Sequence, residues 1–135
     1  MTMTNRRKEV LFLEEGQAHA SPIPVAVKAG GFIFLSAIRG VNPKTNVVDS
    51  DDPEEQARIV FDVIKSTLTA LGATMQHVVK VACFVTDIQE RTVFNKLWQE
   101  NFPVDPPARF AVEVPDLGVP GDKTKFLVDV IALAP

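Results

Sequence analysis

The period of apolar and polar positions changes several times along this chain, and each change marks an element. Val10-Leu11-Phe12-Leu13 predicts a short first strand. Pro24-Val25-Ala26-Val27-Lys28 predicts a second strand, Ala29-Gly30-Gly31 a tight turn, and Phe32-Ile33-Phe34-Leu35-Ser36 the returning arm of a hairpin. That arm is apolar at every position before Ser36, the composition of a strand covered on both sides. Asn42-Pro43-Lys44-Thr45-Asn46 reads as a surface turn.

The period then lengthens. Ala57, Val60, Phe61, Ile64, Leu68 and Leu71 recur at helical spacing and form one stripe. Asp52-Pro53-Glu54-Glu55 supplies the start: Asp52 caps, Pro53 suits the first helical position, and Glu55 lies three residues past the cap. Gly72 supplies the stop. His77 to Val85 predicts a strand rich in β-branched residues. Asp87-Ile88-Gln89-Glu90 repeats the capping pattern before a helix whose inner stripe is Val93, Phe94, Leu97 and Trp98, ending before Pro103. Pro106 and Pro107 close that segment, and a strand opens at Arg109. Gly118 to Asp122 reads as a loop and Lys125 to Ala134 as the last strand.

Hairpin, helix, strand, helix, strand, strand is the order of an α+β domain, here one domain over residues 1–135. A mixed sheet with two helices packed on one face fits it. Several strands are apolar on both faces, while the helices cover one. A second copy of the chain is therefore expected on the other.

Composition narrows the classes. Of 135 residues, 46% are apolar and 23% charged, a globular balance with room for one core. The net charge of -3 gives no basic field to attract nucleic acid. No apolar run is long enough to span a bilayer, and the basic residues near the start are not followed by an apolar segment of secretory length. Cys83 is the only cysteine, so neither an intrachain disulfide nor a cysteine metal cluster is available, and a cytoplasmic setting is the simplest reading.

The chemistry centres on Pro106-Pro107-Ala108-Arg109-Phe110-Ala111-Val112-Glu113. Arg109 stands where a strand begins, on a backbone stiffened by prolines, and a guanidinium held there offers a fork of donors that matches a carboxylate. An arginine solvated at a strand end is the plainer reading of those residues alone.

Three stretches together resemble the reactive-intermediate deaminase family, RidA (YjgF): Phe34-Leu35-Ser36-Ala37 with Val41-Asn42-Pro43-Lys44-Thr45, Val79 to Asp87, and Pro107 to Val114. The resemblance runs from about residue 20 to the C-terminus. It implies a chorismate-mutase-like fold, a trimeric barrel-like assembly with clefts between subunits, and hydrolysis of an enamine or imine carboxylic acid, such as 2-aminoacrylate, to a 2-oxo acid and ammonia. It implies no cofactor and no metal. Arg109 matches the family's carboxylate-binding arginine, Ser36 (with Ala37 beside it) a serine near the cleft, and Asn95 a helix asparagine.

Three positions depart from the family. The cleft tyrosine is Ile23, a cysteine is Ala111, and the glutamate held to position water on the last strand is Leu127. No catalytic residue is therefore carried over, since leucine can neither accept a proton nor hold a water. Asp129, Glu113 and His19 are the nearby groups able to replace it, although each acid reads more simply as a structural or interface residue. His77 reads as a residue of the turn after Gly72, and Cys83 as a small core residue. The apolar replacements imply a weaker activity on 2-aminoacrylate, and a bulkier substrate, so a 2-aminomuconate-deaminase-like enzyme stays in play. A non-catalytic trimer binding small carboxylates or a partner is the rival of another class. Endoribonuclease, a label attached to this family, is disfavoured by the acidic balance.

Overall fold

The computed structural model describes residues 7–12, 23–42, 44–117 and 121–135. Its framework is a six-stranded sheet in the order β1-β2-β3-β6-β4-β5. The strands are β1 (Glu9–Leu11), β2 (Ala26–Ala29), β3 (Phe32–Leu35), β4 (Val78–Val85), β5 (Ala108–Glu113) and β6 (Phe126–Leu133), with helices α1 (Pro53–Ala70) and α2 (Arg91–Asn101). The C-terminal strand lies between β3 and β4, antiparallel to both. The edge strand β5 is parallel to β4, the connection being α2.

The α1 start forms with a variation. Asp52 accepts from Glu54 N as a cap should, but Glu55 does not complete the box. Ser50 takes its place: its hydroxyl donates to Glu55 and accepts from Asp52 N. One turn on, Gln56 is fully buried. Its Nε2 donates to Ser50 O and Lys123 O, and its Oε1 accepts from Lys125 N, so the start of α1 is tied to the entry of β6. Gly40 packs against this knot, where an added Cβ would lie 2.7 Å from Gln56 O.

Both helices cover one face of the sheet. Val81, Cys83 and Val85 of β4 meet Val130, Val128 and Phe126 of β6 on that face, with Phe61, Ile64, Phe94 and Leu97 of the helices packed into the same core. The opposite face is bare. Phe32, Phe34, Phe110, Val112 and Leu133 are exposed there. Phe32 and Phe34, read from the sequence as covered on both sides, alternate with buried Ile33 and Leu35, because the single chain has nothing to lay over them. Among the described residues, no helix is long and apolar enough to cross a membrane.

Candidate functional site

Two groups of side chains carry chemistry, and the fold sets them apart. The first belongs to β5. Parallel pairing places Arg109 beside Val81, Ala111 beside Cys83 and Glu113 beside Val85, so all three look toward the helices. Arg109 thus lies over α2, its Cζ 4.8 Å from the ring centre of Trp98 and 5.5 Å from that of Phe94. Such rings attract a guanidinium through their quadrupole and hold its plane. Nη2 donates to Asn95 Oδ1, one turn before Trp98 on the same helix. Asp105, at a positive φ of 48°, and the two prolines after it lead the chain into this position.

Among the described residues Arg109 has no carboxylate partner. Burial pulls its proton affinity below the ordinary guanidinium range, and Arg91 adds to this, while Cys83 opposes it. The result is a positioned, half-desolvated cation with donors to spare. Asn95 contacts it directly. Phe94 and Trp98, which the sequence showed only as an inner stripe, form its platform. An aromatic pair four residues apart on the helix preceding an arginine strand was the available signal. Glu113, the next acid along, is occupied: its Oε1 accepts from Ile88 N and caps the turn before α2, the structural role expected of it.

The second group surrounds a cavity of about 580 Å³. It arises from a break in pairing. β3 pairs with β6 through Phe34 and Ile131, and the chain rejoins β6 at Ile38 and Val128. Four steps on one side (34 to 38) match three on the other (131 to 128), so one residue is extra and the chain bows out at Ser36 and Ala37. Bulges of this kind re-aim side chains at the rims of sites. Ser36 turns to β2 instead, its N donating to Val25 O and its Oγ to Pro24 O. Ile23, Ser36, Ala37 and Asp129 all line the cavity, with Leu35, Ile38 and Val63 as apolar walls and Arg39 and Thr67 as further polar groups.

Arg39 is committed, bonded to Asp122, to Thr124 Oγ1 and to Asn46 O. Asp129 is not. Among the described residues it makes no hydrogen bond or ion pair, so of the two roles expected for it, a structural ion pair or a subunit interface, the ion pair is not seen there. It sits on the bare face of β6, opposite Ala82.

The expected site residues are therefore not gathered in one place. Arg109, Asn95 and Ala111 occupy the β5–α2 rim, whereas Ile23, Ser36 and Ala37 occupy the β3 side, two strands away across β4 and β6. Leu127 joins neither: it lies on the bare face opposite Phe84 and does not line the cavity. His77 is structural, its Nδ1 bonded to Thr74 N. His19 falls outside the described residues. Cys83 is buried, and burial pushes its thiol up to about 12.

This arrangement, a sheet with two helices on one side and an arginine on the rim of β5, has counterparts. A family model described as Endoribonuclease L-PSP matches residues 17–134. A RutC family protein of Pyrococcus horikoshii is 35% identical over 127 residues, covering 94% of this chain and 97% of its own. The chain belongs to the RidA (YjgF) family. The crystal structure of RidA from the Antarctic bacterium Psychrobacter sp. superposes with a TM-score of 0.80 at 27% identity, covering 93% of this chain and 98% of that one. A Thermotoga maritima structure titled a putative endoribonuclease gives 0.79 at 28% identity, with 92% and 97% covered. Family membership supports a general deaminase or endoribonuclease-like role and the α+β fold of RidA structures.

Proposed function

We propose that the protein hydrolyses the C–N bond of a small enamine or imine carboxylic acid, releasing a 2-oxo acid and ammonia, in a cleft that two copies of the chain complete. The observation that supports this reading is Arg109. A cation held over Trp98, fixed by Asn95 and left without a carboxylate partner among the described residues is shaped for the carboxylate of a ligand. The β5 edge beside it carries unpaired backbone N–H groups able to polarise the substrate. Held there, an imine carbon is presented to water at a fixed angle, and orientation of this sort supplies a large share of a hydrolytic rate.

A shared cleft follows from the bare apolar face. Phe32, Phe34, Phe110, Val112 and Leu133 lie exposed on one side of one sheet, and a further copy is the covering surface that the proposed homotrimer supplies.

The deciding assay feeds freshly generated 2-aminoacrylate and follows 2-oxo acid and ammonia. Release faster than spontaneous hydrolysis supports the reading. No acceleration, with 2-oxobutyrate still binding, means a carboxylate-binding protein instead. Cleavage of single-stranded RNA that vanishes in Arg109→Ala would favour the endoribonuclease reading, against which the net charge of -3 stands.

A further inference from the structure

We propose that Asp129 is the acid–base residue of this site, in place of the carboxylate missing at Leu127, and that the cavity it lines takes an imino acid with a branched or extended apolar side chain. The inference rests on the deaminase reading and goes beyond it by naming the group that moves the proton and the end of the substrate that sets specificity.

Three observations support it. Among the described residues Asp129 is the only carboxylate lining the cavity, and the one other ionisable group there, Arg39, is already neutralised by Asp122. Asp129 has no partner among the described residues, so its oxygens are open to a ligand. The bulge at Ser36 and Ala37 interrupts the pairing of β6 between Ile131 and Val128, the stretch that holds Asp129, and it brings a hydroxyl to the same wall. Leu127, two residues away, lies outside the cavity, so a carboxylate there faces Phe84 rather than this space. Ile23, Val25, Leu35, Ile38, Val41 and Val63 make much of the remaining wall apolar, which favours a hydrocarbon side chain.

The chemistry balances with water alone. The substrate is an iminium carboxylate, and the Asp129 carboxylate faces its positive nitrogen. Water attacks the iminium carbon; its oxygen bonds to carbon as the C=N π pair moves onto nitrogen, and Asp129 takes the proton the water loses. Asp129 then gives that proton to the amino nitrogen of the carbinolamine. The C–N bond breaks with its electron pair leaving on ammonia, a lone pair on the hydroxyl oxygen closes the C=O bond, and the hydroxyl proton passes to the departing ammonia. Iminium plus water becomes 2-oxo acid plus ammonium. A carboxylate in such a role is worth about a hundredfold or more in rate.

The test uses the full chain with imines generated in situ from alanine and from leucine. Asp129→Ala should lower kcat about a hundredfold while 2-oxobutyrate, which lacks the nitrogen, still binds by calorimetry as in the parent. Added formate should restore part of the lost rate, which a packing role cannot do. Asp129→Glu should keep most of the activity, Leu127→Glu should add none, and the leucine-derived imine should be preferred. Parent-like kcat in Asp129→Ala, or a rate gained by Leu127→Glu, overturns the assignment while leaving the deaminase reading intact. If Asp129→Ala does not assemble, Asp129→Asn decides by the same criteria. Absence of activity in the parent defeats the deaminase reading first, and this inference with it.

Discussion

Replacing Arg109 should separate binding from folding. One of its donors is taken by Asn95, and the guanidinium keeps enough of the rest for a two-pronged grip on a carboxylate. A charge-assisted hydrogen bond contributes about 1.5–3 kcal/mol net. At a half-exposed site the lower value applies, so two bonds give about 3 kcal/mol, a loss of roughly 150-fold in affinity for 2-oxobutyrate in Arg109→Ala. Arg109→Lys keeps the charge but not the planar fork or the stack, and should recover about half of that free energy. The fold should scarcely notice. The Asn95 bond and the contacts with Trp98 and Phe94 contribute about 1 kcal/mol each at most, and the cost of desolvating an unpaired cation, visible in its lowered proton affinity, offsets them. Tm should therefore move by no more than about 5 °C. Calorimetry and thermal melts on the three proteins give both numbers. If Arg109→Ala binds 2-oxobutyrate within about threefold of the parent, the grip does not exist and the site assignment fails; if binding survives while Tm collapses, Arg109 is a packing residue.

Other outcomes follow from the same structure. Light scattering at micromolar concentration should show three copies, because Phe34, Phe110 and their neighbours are exposed on one face; a monomer would refute the shared cleft. Gly40→Ala should lower stability by about 1–3 kcal/mol in urea unfolding, since its Cβ would meet Gln56 O, a backbone atom at a helix start that has little room to yield; an unchanged midpoint would show that the knot is loose. Cys83 should resist thiol reagents in the folded protein. Its folded pKa of about 12 lies above the 9.0 of the free group, so the stability it contributes is complete below pH 9 and declines between pH 9 and 12; in Cys83→Ala that part of the alkaline decline should disappear.

The elements were legible where local chemistry decides them. Asp52-Pro53 starts α1 and the stripe from Ala57 to Leu68 faces the core as its spacing predicts, because a cap and a period are properties of neighbouring residues. The hairpin turn at Gly30 and Gly31 forms for the same reason, both residues taking positive φ. Strand order was not legible. The last strand inserts between β3 and β4, a pairing between residues nearly a hundred apart that no window of sequence displays. Nor was the facing of β5. Alternation separates Arg109, Ala111 and Glu113 from Phe110 and Val112, but the apolar pair faces outward and the arginine side packs against α2. The aromatic rings of α2 accommodate a guanidinium stem and plane, so that inversion costs little. The cavity was also hidden, since one extra residue between Phe34 and Ile38 leaves no mark until the partner strand is known.

The two rims complement each other in a way that explains why the site is divided. The β5 rim holds Arg109 and the bulge rim holds Asp129, and among the described residues neither has an oppositely charged partner. Strands lie about 4.8 Å apart, so the two steps from β5 to β6, the strand that carries Asp129, span about 10 Å, and the two groups also point to opposite faces of the sheet. A small imino acid, with its carboxylate and nitrogen on adjacent carbons, is far too short to touch both within one chain. Under the proposed assembly the β5 rim of one copy faces the bulge rim of the next. Arg109 and Asp129 brought into direct contact would form a salt bridge and close the cleft. Held apart by the width of a small molecule, each instead meets the oppositely charged end of an iminium carboxylate, and the platform of Trp98 and Phe94 that keeps Arg109 from swinging outward is what preserves that gap.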